Sequence, residues 1–273
     1  MKESSDPGRP PFPRSVGRRG WGGGACSRAG FWAALVLGTA PGAVAYVEGP
    51  VPDGGTLAGH VRFGGEPVRG EPIPVRKNVD VCGETKPSQA LVVGAARGVR
   101  DTVVYLEGVE RGKRPSDFDL DNAKCLFVPH VGAVMAGAKV RIKNADPVLH
   151  NTHGFHDRQT VFNIALPNKD QVVDVTQRIR KVGVIEVQCD AHTHMRAWIV
   201  VRDNPYVAVT DERGQFRITD IPPGRYRVVA WHAGWVVTGK DKDGRPVYDA
   251  PRVLTQEVTI PARGEATVGF ELK

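Results

Sequence analysis

Gln188-Cys189-Asp190-Ala191-His192-Thr193-His194-Met195 is the stretch on which the reading of this chain turns. It places a thiol, two imidazoles and a thioether between Cys189 and Met195. The whole chain of 273 residues has only four cysteines and three methionines. Two scarce sulfurs in register with a histidine point to metal ligation, not to packing alone. Before it runs Val182-Gly-Val-Ile-Glu-Val-Gln188, and after it Arg196-Ala-Trp-Ile-Val-Val-Arg202. Both read as β-strands, because β-branched and aromatic residues fill them at a period near two. The stretch is therefore a tight loop between two strands, with donors at i, i+3 and i+6.

Outward from this loop the chain is built of short strands. Candidates are 56–63, 90–94, 101–108, 124–129, 138–143, 171–176 and a segment beginning near Leu149. Residues 109–123 carry Gly, Lys, Arg, Pro and several aspartates and read as a surface loop. No segment sustains a helical apolar period; 177–182 comes nearest and is short. With 32 Gly and 21 Pro to punctuate the strands, the expectation is an all-β chain of sandwich or barrel type. A second unit starts after Asp203-Asn-Pro205. Strands near 206–210, 215–218, 225–231, 254–260 and 266–272 alternate with turn residues, Asp211-Glu-Arg-Gly214 among them.

The first 45 residues differ from the rest. A Gly/Pro/Arg-rich start with six basic and two acidic residues leads to Phe31-Trp-Ala-Ala-Leu-Val-Leu, then to Ala43-Val44-Ala45. That is the order of a signal peptide, and the apolar run is too short to span a bilayer. Residues 1–45 are expected to be a leader, and the mature protein periplasmic or secreted with no stable membrane span. Its removal leaves 31 basic and 28 acidic residues, a net charge of +3. With no basic stripe interleaved with aromatics, a nucleic-acid partner is not expected. The mature cysteines are Cys82, Cys125 and Cys189. In an oxidising compartment an odd count leaves one thiol for another task. Cys189 takes that task, and Cys82 with Cys125 either forms a disulfide or supplies two free buried thiols.

Cys189, His192 and Met195 need one further strong donor. Asn144-Ala-Asp-Pro-Val-Leu-His150-Asn151 supplies His150. Two imidazoles and a thiolate with a weak axial thioether form a set that holds one copper ion in both its oxidation states. The extra imidazoles His153 and His156 read as exposed loop residues. His194, inside the loop, either lies exposed and inert or competes with His192 or Met195 for the metal. His130 and His232 read as packed.

The stretch from Phe127 to Asn151, with its Gly turn and its Asn leading to a His-Asn pair, resembles the cupredoxin (plastocyanin-like) pattern. The Cys-x-x-His-x-x-Met order resembles the ligand loop of the amicyanins. The resemblance covers residues 101–202 and implies a Greek-key β-sandwich with one copper cycling between Cu(I) and Cu(II). It implies His150, Cys189 and His192 as equatorial ligands, Met195 as the axial ligand, and Asn151 as a residue that ties the two ligand loops together. His194 and His153 are the possible extra ligands. Residues 203–273, through Val209-Thr-Asp-Glu-Arg-Gly-Gln-Phe216 and Ile221-Pro-Pro-Gly-Arg-Tyr226, resemble the carboxypeptidase regulatory-like (transthyretin-like) β-sandwich, a second small module. Residues 46–100 form an N-terminal β extension that the sequence assigns to neither unit.

The function implied is an exported carrier of single electrons. Its partner would be a redox protein such as a c-type cytochrome or a quinoprotein dehydrogenase. The alternative is a copper chaperone or sequestration protein, prompted by the surplus histidines. An enzyme is not expected, because no paired carboxylates or nucleophile–base pattern accompany the donors.

Overall fold

A computed structural model of the chain describes residues 45–66 and 70–273. The expected leader, but for Ala45, lies outside the described residues. From Ala43 onward the chain is one compact unit. It is all-β, as the alternation predicts, and is built as two sandwiches. No helix among the described residues is long and apolar enough to cross a membrane.

The first sandwich has one sheet ordered Val172–Asp174, Val140–Asn144, Phe118–Ala123, Leu126–Val128. The facing sheet is ordered Gln159–Leu166, His150–His156, Gly183–Cys189, Arg196–Arg202, Val131–Met135. Neighbours run antiparallel except Val140–Asn144 beside Phe118–Ala123 and Arg196–Arg202 beside Val131–Met135, which are parallel. Leu120, Phe127, Ile142, Leu166, Ile185, Val187 and Ile199 fill the space between the sheets.

The second sandwich is not confined to the tail. Its sheets are ordered Val207–Val209, Val103–Glu107, Gly224–His232, Arg252–Ile260, and Gln215–Ile221, Gly55–Phe63, Glu265–Leu272. Strand Val103–Glu107, expected in the copper domain, pairs instead with Gly224–His232. Strand Gly55–Phe63 runs parallel to Glu265–Leu272 from the far end of the chain. Chain before and after the first sandwich thus completes the second. The alternation of Leu57, Val61 and Phe63 sets which face is buried but carries no label for the partner strand. Leu57, Leu106, Tyr206, Ile218, Val228 and Phe270 form this second core.

A third apolar cluster joins the two. Val131 and Val200 from the first sandwich meet Val103, Tyr105, Val229 and Trp231 from the second. Trp198 and Trp231 pack edge to face across this junction, 6.0 Å between ring centroids.

Two local expectations fail. The polar stretch 109–123 is not all loop: Phe118–Ala123 is a strand with Leu120 and Asn122 buried. Its aspartates point away from the core, and Asp119 pairs with Arg141 and Lys143 of the adjacent strand. Conversely, 90–94 makes no strand and contributes only an isolated bridge from Val93 to Val99.

Candidate metal centre

Strand parity builds the site. In Gly183–Cys189 the inward row is Ile185, Val187, Cys189, so the thiol enters the core at the end of the strand. In His150–His156 the inward row is His150, Thr152, Gly154, His156. Thr152 sits opposite Cys189 in the ladder, which brings His150 to the same pole. The chain then turns through 190–195, closed by Met195 N donating to the His192 carbonyl at 3.0 Å. His150, Cys189 and Met195 are fully buried and His192 is 2% exposed.

His150, Cys189 and His192 offer ligand atoms that all lie within 4.8 Å of one another. Cys189 Sγ is 3.9 Å from His150 Nδ1 and 3.7 Å from His192 Nδ1. The remote nitrogens are occupied. His150 Nε2 lies 3.0 Å from Asp146 Oδ2, and His192 Nε2 lies 3.0 Å from Asn78 Oδ1. Both acceptors require a protonated Nε2, so each ring turns an unprotonated Nδ1 toward the sulfur. Burial lowers the pKa of His150. Burial first, then the neighbouring imidazoles of His150 and His194, lowers that of His192 to about 4. Both rings are therefore neutral, as a metal ligand must be. Burial raises the pKa of Cys189, so a cation is needed to hold the thiolate there. The donor set thus fits a soft, thiolate-preferring ion such as copper.

Asp146 organises one side of the pole. Its carboxylate accepts from Lys124 N and Cys125 N, each at 2.7 Å, besides His150. Asn144 holds Asp146 N through Oδ1 at 3.0 Å, and its amide reaches the carbonyls of Val148, Leu166 and Asn168. Asn151, expected to tie the ligand loops, does so through its backbone: its N–H donates to Cys189 Sγ at 3.4 Å and its carbonyl accepts from Asp190 N at 3.2 Å. Its Oδ1 has no protein partner among the described residues.

Cys82 and Cys125 form a disulfide with Cα atoms 5.4 Å apart. Cys125 also clusters with Asp146 and His150, but a disulfide sulfur is no thiolate donor. The bridge pins the short helix Val79–Cys82 over the ligand turn, with Cys82 Sγ 3.9 Å from His192 Nε2.

The surplus histidines are placed elsewhere. His194 is buried, not exposed, and its Nε2 donates to the Cys125 carbonyl at 2.9 Å. His153 faces outward by parity and bonds Asp190 and Thr160. His156 is buried beside Asp157, in a strand and not in a loop. The sequence reading missed Asp146, although it lies within the stretch that supplied His150. It also missed Asn78 and Arg245. Arg245 donates to the Cys189 carbonyl at 2.7 Å from the hairpin formed by Val237–Lys240 and Pro246–Tyr248.

Residues 180–267 match the family model described as polysaccharide lyase family 4, domain II. That range takes in the ligand turn and most of the tail. Among curated proteins none matches the chain. Similar solved structures include a copper-containing nitrite reductase from Thermus scotoductus, at 20% identity and TM-score 0.28. The match covers 33% of this chain and 23% of that one. A purple cupredoxin from Nitrosopumilus maritimus matches at 19% identity and TM-score 0.27, over 32% of this chain and all of that one (100%). Amicyanin from Paracoccus versutus matches at 16% identity and TM-score 0.28, over 36% of this chain and 97% of that one.

Proposed function

We propose that this chain is an exported copper protein that passes single electrons between redox partners. His150, Cys189 and His192 would hold the ion, with Met195 of the same turn as the further sulfur donor. The observation that carries the reading is the orientation of the two imidazoles. Both present Nδ1 to the Cys189 sulfur while Asp146 and Asn78 occupy the other nitrogens. When bound, copper supplies a one-electron couple.

The protein's part is to keep the donors still and dry. Asp146 and Asn78 fix the rings. The Asn151 amide donates to the sulfur. Packed sheets on either side limit rearrangement. The Cys82–Cys125 bridge fits an oxidising compartment. The electron partner is a redox protein such as a c-type cytochrome or a quinoprotein dehydrogenase. The chaperone alternative loses its motive, because His153 and His194 are engaged elsewhere and a buried donor set is poorly arranged for handing metal on. The second sandwich serves as a support for the ligand strand.

Adding Cu(II) to the apoprotein tests the reading. An intense visible thiolate-to-copper band is expected, and Cys189→Ala must abolish it. A colourless wild-type complex overturns the assignment.

A further inference from the structure

A cleft of about 550 Å³ opens beside the ligand turn. Three stretches remote in sequence wall it: parts of 70–91, Thr193 and His194 of the turn, and parts of 235–248, which include the separate hairpin Val237–Lys240/Pro246–Tyr248. Sites for small organic ligands span roughly 300–1,000 Å³ and combine apolar walls with a few fixed polar groups. This cleft has both features. Ile73, Leu91 and Val236 give it aliphatic walls, and Trp235 and Tyr248 give it aromatic ones.

The aromatic residues have close partners. The Trp235 backbone N–H donates to Asp249 Oδ1 at 2.9 Å, and the Arg252 guanidinium lies 4.5 Å from the Trp235 ring centroid. The Arg196 guanidinium lies 5.2 Å from the Tyr248 ring centroid. Arg252 is in turn bound to Asp249, and Arg196 to Glu186. Rings held this way have little ordering entropy left to lose on binding.

Among the described residues the charged ones of the lining are Arg76, Lys240 and Glu71. Two cations against one acid favour an anion. Among the described residues the lining is short of hydroxyl and amide groups: Ser88 and Thr193 are its aliphatic hydroxyls, and it has no Asn or Gln. A sugar would leave most of its own hydroxyls unpaired there, at a desolvation cost. A flat apolar body with a single negative group meets both the walls and the cations.

We propose that this cleft binds a small aromatic carboxylate, with its ring system against Trp235 and Tyr248 and its anionic group toward Arg76 and Lys240. The site stands whether or not copper occupies the centre. Because its inner wall is Thr193–His194, between His192 and Met195, a bound ligand touches the turn that carries the donors.

Isothermal titration of the metal-free chain with 1-naphthoate tests this, with 1-naphthylmethanol and 1-naphthylmethylamine as neutral and cationic isosteres and cellobiose as the sugar arm. One saturable site for 1-naphthoate is expected, with the alcohol about tenfold weaker and the amine weaker still. Arg76→Ala and Lys240→Ala each weaken the acid and leave the alcohol unchanged, whereas Trp235→Leu weakens both. Failure of 1-naphthoate to saturate the wild-type chain overturns the proposal. So does equal affinity for the three naphthyl probes, or saturation by cellobiose in place of the acid. None of these outcomes depends on the copper reading, since no metal is present.

Discussion

Arg245 Nη2 donates to the carbonyl oxygen of Cys189 at 2.7 Å, so a residue of the separate hairpin Val237–Lys240/Pro246–Tyr248 holds the backbone of the proposed thiolate ligand in the first sandwich. The arginine is 4% exposed and pairs with Asp243 at 3.1 Å. A second link crosses the same gap in the other direction, Arg196 Nη1 donating to the Pro246 carbonyl at 2.8 Å. A buried, charge-assisted hydrogen bond of this kind contributes about 1.5–3 kcal/mol. Arg245→Ala is therefore expected to lower the melting temperature by roughly 3–12 °C in differential scanning calorimetry, at 2–4 °C per kcal/mol for a unit of this size. Arg245→Lys should recover part of the loss. An unchanged melting temperature in both variants would mean that the hairpin rests on the ligand strand without supporting it.

The hydrogen bonds to the remote imidazole nitrogens make a separate prediction. Asp146→Asn replaces a carboxylate that accepts three hydrogen bonds with an amide that has one good acceptor. Asn78→Ala removes the acceptor for His192. Loss of such a support typically costs about 10–100-fold in metal affinity. Competition with a chromophoric copper chelator should show both losses. They differ in their effect on the fold: Asp146 also ties down Lys124 N and Cys125 N, whereas Asn78 is exposed. Unfolding of the metal-free protein should therefore shift more in Asp146→Asn than in Asn78→Ala, where the cost is the left-handed backbone at residue 78 (φ 52°).

Much of the centre was legible because strand parity and donor spacing are both local. Cys189, His192 and Met195 share one turn, and the structure gathers His150 to the Cys189 thiol. Parity also separates His150 from His153: an offset of three residues in a strand puts them on opposite faces. The strand expected from Leu149 runs on through His153 to His156, where the sequence reading has a loop, and that continuation was the step missing for the inference. The supports were not legible. Asn78 reaches His192 across 114 positions and Arg245 reaches Cys189 across 56, and neither has a spacing motif. The same limit applies to the fold. Alternation identified strands such as Gly55–Phe63, yet a pairing with Glu265–Leu272 depends on the closure of the whole second sandwich.

The disulfide links stability to the centre. Cys82 and Cys125 are 43 residues apart in sequence, and opening a loop of that length costs about 4 kcal/mol in the chain-entropy account. Cys82→Ala/Cys125→Ala should show a loss of that order in guanidinium unfolding of the metal-free protein. A reductant present throughout the wild-type titration should reproduce it. The same change frees the Asn78 segment from the ligand turn, so copper affinity should fall along with stability. A stability loss with undiminished affinity would show that Asn78 keeps its place without the bridge.

His130 sets an expectation for pH. Its Nδ1 lies 3.0 Å from the Arg196 carbonyl, which calls for a neutral ring donating from that nitrogen. Desolvation of this half-buried ring, opposed by the hydrogen bond, lowers its pKa to about 3. The unfolded chain has the ordinary histidine value near 6.5. Between the two values the unfolded state binds the proton and the folded state does not. Folding stability is therefore at its full value above pH 6.5, falls as pH drops below it, and levels off near pH 3. At pH 5 the loss from this group is about 2 kcal/mol. Urea unfolding of the metal-free protein from pH 7.5 to 5 should show the decline, and His130→Gln, which has no charge to gain, should flatten it relative to wild type. An identical slope in the two proteins would assign the acid sensitivity to other groups.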